Sequence, residues 1–112
     1  MKRGEIRLAA LNPSKGAEPG KVRPVLIYQT DMLNTIDHPT TVILPLTTNL
    51  IDDTFPLRHR IEARGNLEQD SDLLIDQIRA VDNRRIIGDV VATLGENELL
   101  EIDEMVNIVL GM

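Results

Sequence analysis

Six short segments with strand-like patterns, followed by one segment with a helical period, make up most of this 112-residue chain. The strand-like segments are rich in β-branched and large apolar residues, several of them in alternation with polar ones. We expect strands at Glu5–Ala10, Val22–Gln29, Thr40–Thr47, Leu57–Glu62, Asp72–Val81 and Ile86–Ala92, the last interrupted by Gly88. Pro24 predicts an edge strand or the beginning of one, and Pro45 predicts an edge or a bulge. Long polar loops are expected at 12–21, 31–39 and 48–56.

The period changes near the C-terminus, where apolar residues recur every three or four positions. This spacing predicts one amphipathic helix, with its stripe at Leu99, Ile102, Met105, Val106, Val109 and Leu110. Thr93 and Glu96 have the spacing of a capping box, and Gly111 is a typical C-terminal stop. Short strands followed by one helix predict a mainly β fold, a small barrel or rolled sheet capped by that helix.

Length and composition describe one domain that covers residues 1–112. Apolar residues make up 42% of the chain and charged residues 27%, which is typical of a soluble globular protein. The absence of cysteine excludes disulfides and thiolate metal sites and is typical of a reducing compartment. No apolar run approaches the roughly 18 residues of a membrane span, and the first residues do not resemble a signal peptide. We therefore expect a cytoplasmic protein with no membrane association.

Charge is distributed unevenly along the chain. The net charge is −6, from 12 basic and 18 acidic residues. Six acidic residues and no basic one follow Gly88, whereas the first 36 residues carry six bases against three acids. The overall charge argues against passive coating of nucleic acid. It is compatible with a local basic site near the N-terminal end, because a local field depends on where the charges lie.

Several familiar catalytic motifs are missing. The chain has no glycine-rich phosphate loop, no HExxH sequence and no nucleophile elbow. His38 and His59 are either a ribonuclease acid–base pair or, more often in such positions, solvated surface residues. Asp52 and Asp53 are either a cation site or solvated acids. Aromatic residues make up only 2% of the chain, so any RNA must be held by hydrogen bonds and phosphate contacts rather than by stacking.

Three stretches place polar groups beside apolar strands. Arg23 follows a polar loop and either serves a site at the strand rim or pairs with an acid such as Asp76. Thr47 and Thr48 end the third strand, either as site hydroxyls or as ordinary strand-terminal hydrogen-bonding groups. An acid, an amide and a guanidinium interrupt the fifth strand. Buried polar groups need partners, so Asp76 is either a structural anchor or part of a site.

Five motifs follow one another along nearly the whole chain. They are RGEI at 3–6, GAEPGKVRPVLI at 16–27, VILPLTT at 42–48, DSDLLIDQIRAVD at 70–82, and VLG near the end. In this order and spacing they resemble the MazF/PemK family of toxin endoribonucleases. The resemblance implies an SH3-like small barrel with a C-terminal helix that works as a homodimer. It also implies metal-independent, sequence-specific cleavage of single-stranded RNA (mRNA interferase activity), which needs no cofactor and which a cognate antitoxin protein neutralises.

The same resemblance implies roles for individual residues. The family's catalytic arginine, in its RPVL motif, falls on Arg23. Its catalytic threonine or serine, at the end of the third strand motif, falls on Thr47. Supporting or RNA-binding roles fall on residues in and beside the family motifs, namely Glu18, Lys21, Thr48, Asp76, Gln77 and Arg79.

The chain departs from some family members at identifiable positions. Members that resemble the Kid toxin use a histidine after the loop glycine and an arginine two residues before the aspartate. Those positions are Ala17 and Leu74 here, so the resemblance implies the Arg/Thr version of the mechanism rather than the His/Arg/Asp version. Many members also have an aromatic residue where Arg7 stands, a difference that bears on base preference.

Two other function classes compete with this interpretation. CcdB-type toxins share the barrel and bind DNA gyrase without cleaving anything, but they depend on a C-terminal tail with an aromatic residue. This chain ends in Val-Leu-Gly-Met and has no tryptophan. An SH3-like adaptor needs an aromatic peptide groove, which Tyr28 and Phe55 alone do not supply. The sequence therefore favours the endoribonuclease.

Overall fold

The structure is mainly β with one long C-terminal helix, as expected. It is a computed structural model and describes residues 1–11 and 22–112. The elements are β1 (Glu5–Ala10), β2 (Val22–Ile27), α1 (Asp31–Thr35), β3 (Thr40–Thr47), β4 (Arg58–Ile61), β5 (Ser71–Leu74), β6 (Arg79–Asp82), β7 (Ile86–Thr93) and α2 (Glu96–Leu110), with 3-10 turns at Ile75–Gln77 and Asn83–Arg85. No helix within the described ranges is long and apolar enough to cross a membrane.

The seven strands form one antiparallel sheet that does not close on itself. The hydrogen-bonded order is β4-β5-β3-β2-β1-β7, and β6 pairs with β3 beside this path. β4 and β7 stand at the two ends of the path and are not paired with each other. The mainly β architecture with its C-terminal helix is confirmed, and the expected small barrel is an open one.

β3 is the central strand and has partners along both edges. On the edge away from β2, the end of β3 pairs with β5, Leu46 opposite Leu73, and its start pairs with β6. Between these two pairings β3 runs only from Ile43 to Leu46, whereas the segment paired with it runs from Leu73 to Arg79. The 3-10 turn Ile75–Gln77 accommodates the extra residues of that segment. The single strand predicted for Asp72–Val81 is therefore wrong. The turn is held because Ile75 is fully buried and its amide donates to the Leu57 carbonyl at 3.0 Å.

Both strand prolines lie where one edge of their strand lacks a partner. β2 lies between β1 and β3, so of the two alternatives predicted from Pro24 the edge strand is wrong, and Pro24 instead lies near the beginning of the strand. Pro24 pairs with Leu8 of β1 but precedes the first β2–β3 pair, Val25 opposite Pro45. Pro45 falls between the β5 and β6 pairings of β3. A missing amide N–H costs little at such positions.

α2 covers one face of the sheet and completes the main core. Its buried residues Ile102, Met105 and Val106 belong to one cluster with apolar side chains of the sheet, among them Ile6, Leu26, Leu44, Leu46 and Leu73. Leu99 and Val109 pack against this cluster as predicted, whereas Leu110 is 49% exposed and lies outside the stripe. A second cluster contains Ala9, Leu11, Val25, Ile27, Ile43 and Val81. Successive residues of β2 thus contribute to different clusters, as strand geometry requires.

The start of α2 differs from the predicted capping box. Thr93 is the last residue of β7 and pairs with β1, so it does not cap the helix. Gly95 is the N-cap instead, and its amide donates to the Glu98 carboxylate at 3.2 Å. Glu96 is therefore the first helical residue. Gly111 ends the helix as predicted, with the left-handed φ of +71° that favours glycine.

Two local features differ from the sequence expectations. The short helix α1 lies within the stretch 31–39, where a polar loop is expected, and the Thr30 hydroxyl accepts a hydrogen bond from the Met32 amide at its start. β7 continues through Gly88, which has a φ of +73°. The register between β1 and β7 shifts between Ile6 and Leu8, where β7 runs from Ala92 to Ile87, so the expected interruption is an irregularity of the strand pairing and not a break in β7.

We expect Ile102→Ala to lower the free energy of unfolding by about 2–5 kcal/mol, because it leaves a cavity in the main core. Ile108→Ala, on the same helix at a side chain that is 49% exposed, is the matched control and should change it by about 0.5 kcal/mol or less. Urea unfolding followed by circular dichroism measures both. Equal losses in the two variants would contradict the packing of α2.

Candidate active site

A groove lies where β2 begins and β3 ends. Its volume is about 330 Å³, and it is lined by Val22, Arg23, Pro24, Leu46, Thr47 and Thr48. The register of the two strands explains why the start of β2 lies beside the end of β3. Val25 lies opposite Pro45, and the same antiparallel register, extended by two residues, puts Arg23 opposite Thr47. Side chains from two separate sequence motifs therefore line one groove.

The polar groups of this groove are available for a ligand. The Arg23 guanidinium has no salt-bridge partner among the residues that the structure describes, so the alternative ion pair with Asp76 is not formed. The Thr47 hydroxyl oxygen accepts a hydrogen bond from the Asn49 amide at 3.2 Å. That bond orients the Thr47 side chain and leaves its hydroxyl proton free to donate.

Thr48 also lines the groove as predicted, whereas Asp76, Gln77 and Arg79 are not among its lining residues. Asp76 and Gln77 are exposed on the 3-10 turn, and Arg79 is exposed at the start of β6. The idea that Asp76 interrupts an apolar strand as a buried anchor is therefore wrong. Glu18 and Lys21 lie outside the described residues, and their predicted roles stay predictions.

The buried acid of this region is Asp72, which the sequence pattern does not single out. Its side chain is 1% exposed. One carboxylate oxygen accepts from Arg60 Nε at 2.6 Å, and the other accepts from the Ile51 amide at 2.9 Å and from Arg58 Nη1 at 3.2 Å. Burial raises the pKa of Asp72, but the hydrogen bonds from Arg60, Ile51 and Arg58 outweigh it and hold the pKa below its usual range.

This charge cluster, one buried carboxylate with two partly exposed arginines, fixes the segment that follows Thr47. Arg58 also donates to the carbonyl of Asn49 at 2.8 Å, and Asn49 is the residue whose amide holds the Thr47 hydroxyl. Because Asp72 also binds the Ile51 amide, the chain just beyond β3 is tied to β4 and β5 at several points. The signal for this cluster is the alternation of Arg58 and Arg60, which becomes informative only when β4 is paired with β5 so that Arg60 lies opposite Asp72.

The histidines and the paired aspartates stand apart from the groove. His38 and His59 are partly exposed and are not among its lining residues. Asp52 accepts a hydrogen bond from Arg60 at 2.8 Å, so this member of the aspartate pair already has a cationic partner. The described part of the chain holds no group of three or more histidine, cysteine, aspartate or glutamate side chains placed to bind a metal ion.

Two acidic residues of α2, Asp103 and Glu98, form ion pairs away from the groove, Asp103 at the other end of β2. Arg3 donates to the Tyr28 carbonyl and to Asp103, each at 2.5 Å, and its guanidinium lies 4.3 Å from the centre of the Tyr28 ring. The Tyr28 hydroxyl also donates to Asp103. Burial and this hydrogen bond raise the pKa of Tyr28 to about 12. Glu98 forms a further ion pair with Arg64. None of these acids lines the Arg23 groove.

Comparisons with known proteins agree on one family. A family model described as PemK-like, MazF-like toxin of type II toxin–antitoxin systems matches residues 2–110. Endoribonuclease MazF of Staphylococcus epidermidis is 34% identical, and the alignment covers 100% of this chain and 92% of that protein. Endoribonuclease EndoA of Bacillus subtilis is also 34% identical, with 100% and 96% covered.

Solved structures show the same fold at lower identity. Mycobacterium tuberculosis toxin MazF-mt6 has a TM-score of 0.79 at 18% identity, covering 96% of this chain and 97% of that one. A MazE–MazF structure from Deinococcus radiodurans has a TM-score of 0.79 at 22% identity, covering 100% and 96%. These likenesses support the fold alone.

We expect Asp72→Asn to lower the free energy of unfolding at pH 7 by about 2 kcal/mol, because it removes the buried carboxylate to which the partly exposed Arg58 and Arg60 donate. The folded-state pKa of Asp72 is depressed, so its stabilisation is complete above the unfolded-state value of about 3.9 and is lost as pH falls through the folded-state value. The difference in the free energy of unfolding between wild type and variant should therefore become smaller below about pH 4.

Urea unfolding between pH 7 and pH 2.5 tests this. Asp89→Asn is the matched control, since Asp89 is exposed on β7 and should change stability little at any pH. If the difference in unfolding free energy between wild type and Asp72→Asn stays constant with pH, Asp72 does not act through its charge.

Proposed function

Because the chain belongs to the PemK-like, MazF-like family of toxins of type II toxin–antitoxin systems, we propose that it is a sequence-specific endoribonuclease that cleaves single-stranded RNA. Two relatives that are each 34% identical over the full chain carry the name endoribonuclease. The observation that carries the proposal is the groove that Arg23 and Thr47 both line. That pair matches what a scissile phosphate needs.

The proposed reaction uses the nucleophile that RNA carries itself. The 2′-hydroxyl attacks the adjacent phosphorus and expels the 5′-oxygen of the next nucleotide, leaving a 2′,3′-cyclic phosphate and a 5′-hydroxyl end. Negative charge builds on the non-bridging oxygens of the phosphorane. A guanidinium presents parallel N–H donors that match two phosphate oxygens, so Arg23 stabilises the charge that develops. Because it has no salt-bridge partner among the described residues, its charge is available for the phosphate.

Thr47 adds a second donor from the opposite strand. Its oxygen accepts from the Asn49 amide, which leaves the hydroxyl proton free to donate, and the Asp72 cluster holds Asn49 through Arg58. A donor that is already oriented stabilises charge without reorganising during the reaction. Thr48 lines the same groove and is proposed as an RNA contact.

Groups other than Arg23 and Thr47 must transfer the protons. Arginine stays protonated in proteins and a threonine hydroxyl is a weak base, so neither takes the 2′-hydroxyl proton. We propose Glu18 or Asp76 for this step, with Lys21, Gln77 and Arg79 as further RNA contacts. Without a base of matched pKa an enzyme forgoes about 10²–10⁴ in rate, so slow and selective cleavage is expected.

The proposed partners follow from the relatives. Neighbouring structures include MazE–MazF from Deinococcus radiodurans and an endoribonuclease with its cognate antitoxin from a mycobacterial species. We propose that this chain, as one domain over residues 1–112, works as a homodimer in the cytoplasm and is neutralised by an antitoxin protein. The gyrase-binding alternative is not favoured, since the family model and the named relatives point to endoribonucleases.

We expect Arg23→Ala to abolish cleavage of a long RNA, and Thr47→Val, which removes one donor but keeps the shape, to slow it by about 10²–10³. Arg84→Ala and Thr93→Val are the matched controls, because Arg84 is exposed and, among the described residues, pairs with Asp82 alone, and Thr93 is exposed at the end of β7. Single-turnover rates on purified, folded variants give the comparison. Near-normal cleavage by folded Arg23→Ala would refute the assignment.

We expect cleavage to persist in excess EDTA and to stop when the nucleotide on the 5′ side of the cut carries 2′-deoxyribose. Both follow from a reaction whose charge is stabilised by side chains and whose nucleophile is the 2′-hydroxyl. Gel analysis of one labelled oligonucleotide, with and without chelator, gives the measurement, and mass spectrometry should find the cyclic phosphate. Complete loss of activity on chelation would overturn the metal-independent mechanism.

A further inference from the structure

A second pocket of about 350 Å³ adjoins the Arg23–Thr47 groove. The two share Pro24 and Thr48 in their walls. Leu8 of β1, Val91 of β7 and the buried Leu67 give the second pocket an apolar side. A ligand that places a phosphate against Arg23 therefore has an apolar recess directly beside that phosphate.

One wall of this pocket is a tight turn fixed on β7. Backbone hydrogen bonds join Arg64 and Leu67 in both directions, at 3.0 and 2.8 Å, and the Asn66 amide donates to the Val91 carbonyl at 2.8 Å. Gly65 has a φ of +53°, and a Cβ there would lie 3.0 Å from the Val91 carbonyl oxygen. Only glycine permits this close approach without displacement. The pocket is preformed, so a ligand does not have to order its wall.

The pocket also presents two side-chain amides. The exposed residues Asn66 and Gln69 line it, and neither side-chain amide forms a hydrogen bond with any described residue. The Ser71 hydroxyl, in contrast, is already used, since it donates to the Gln69 carbonyl at 3.1 Å. A side-chain amide offers a donor and an acceptor side by side. This pattern matches the adjacent amino group and ring nitrogen on one edge of adenine.

We infer that this pocket binds the nucleobase next to the scissile phosphate and that Asn66 and Gln69 read its edge, with adenine preferred. The inference rests on the proposed function. The apolar side suits the faces of a base, which single-stranded RNA can turn outward. Glu68 also lines the pocket, and its carboxylate repels a phosphate but accepts hydrogen bonds from a base amino group. A base therefore fits the pocket better than the RNA backbone does.

Mapping of cut sites on a long RNA, by sequencing the new 5′-hydroxyl ends, tests the inference. In the Asn66→Ala, Gln69→Ala double variant, discrimination for adenine at one position beside the cut should fall about 5- to 150-fold, while the other positions of the motif keep theirs. The isosteric Gln69→Glu replaces a donor with an acceptor and should move the preference at that position toward cytosine. Asn97→Ala, exposed on α2, is the matched control and should leave the motif unchanged.

Each outcome separates the inference from the function on which it rests. An unchanged motif in the folded double variant, with wild-type melting temperature, would overturn the base pocket and leave the endoribonuclease standing. An equal loss of rate at every site, with no change in base preference, would show a structural role and also overturn it. Absence of any cleavage by the wild-type protein would overturn both.

Discussion

The antiparallel register between β2 and β3 is the constraint on which the rest of the structure depends. It sets Val25 opposite Pro45 and thereby brings the first residues of one strand beside the last residues of the other. A shift of one residue would turn Arg23 or Thr47 to the opposite face of the sheet. The register is held because the β2 and β3 side chains on both faces are packed, Leu26 and Leu44 in one cluster and Val25, Ile27 and Ile43 in the other.

The Arg23 groove and the Asp103 cluster of α2 lie at different ends of β2. The Arg23 groove lies at the start of β2, whereas Arg3 and Tyr28 hold Asp103 just beyond its end. The exposed acids of α2, such as Glu101 and Glu104, thus extend from a helix that contributes no residue to the groove. A protein with a net charge of −6 can present a local cationic site because field strength near a surface follows the nearest charges.

Much of the fold was predictable from the sequence, and the failures have physical causes. The limits of β1 and β3 match their alternating patterns, and the buried stripe of α2 matches its period. The division of the segment 71–82 was not predictable, because it arises from the way two strands share the edge of β3. The position of the helix cap was also not predictable, because Thr93 pairs with β1 and is therefore part of β7. Local preference yields to tertiary contacts in both cases.

The site was predictable only in part, for a related reason. Arg23 and Thr47 follow from strand-end motifs and a family resemblance, and the register places them together. The Asp72 cluster depends on pairing between β4 and β5, which adjacent residues in the sequence do not reveal. Pattern reasoning therefore selects Asp76, which stands inside an apolar run, although Asp72 is the acid that the fold buries.

The burial of Asp72 has a consequence for work with this protein in solution. Dissolved ions weaken interactions between exposed charges beyond a Debye length of about 10 Å at 0.1 M, but they screen buried pairs much less. Raising the ionic strength should therefore weaken the binding of a polyanion, while the Asp72 contacts that hold the segment beyond β3 persist. Electrolyte concentration is thus a means of varying substrate affinity while the architecture around Thr47 stays the same.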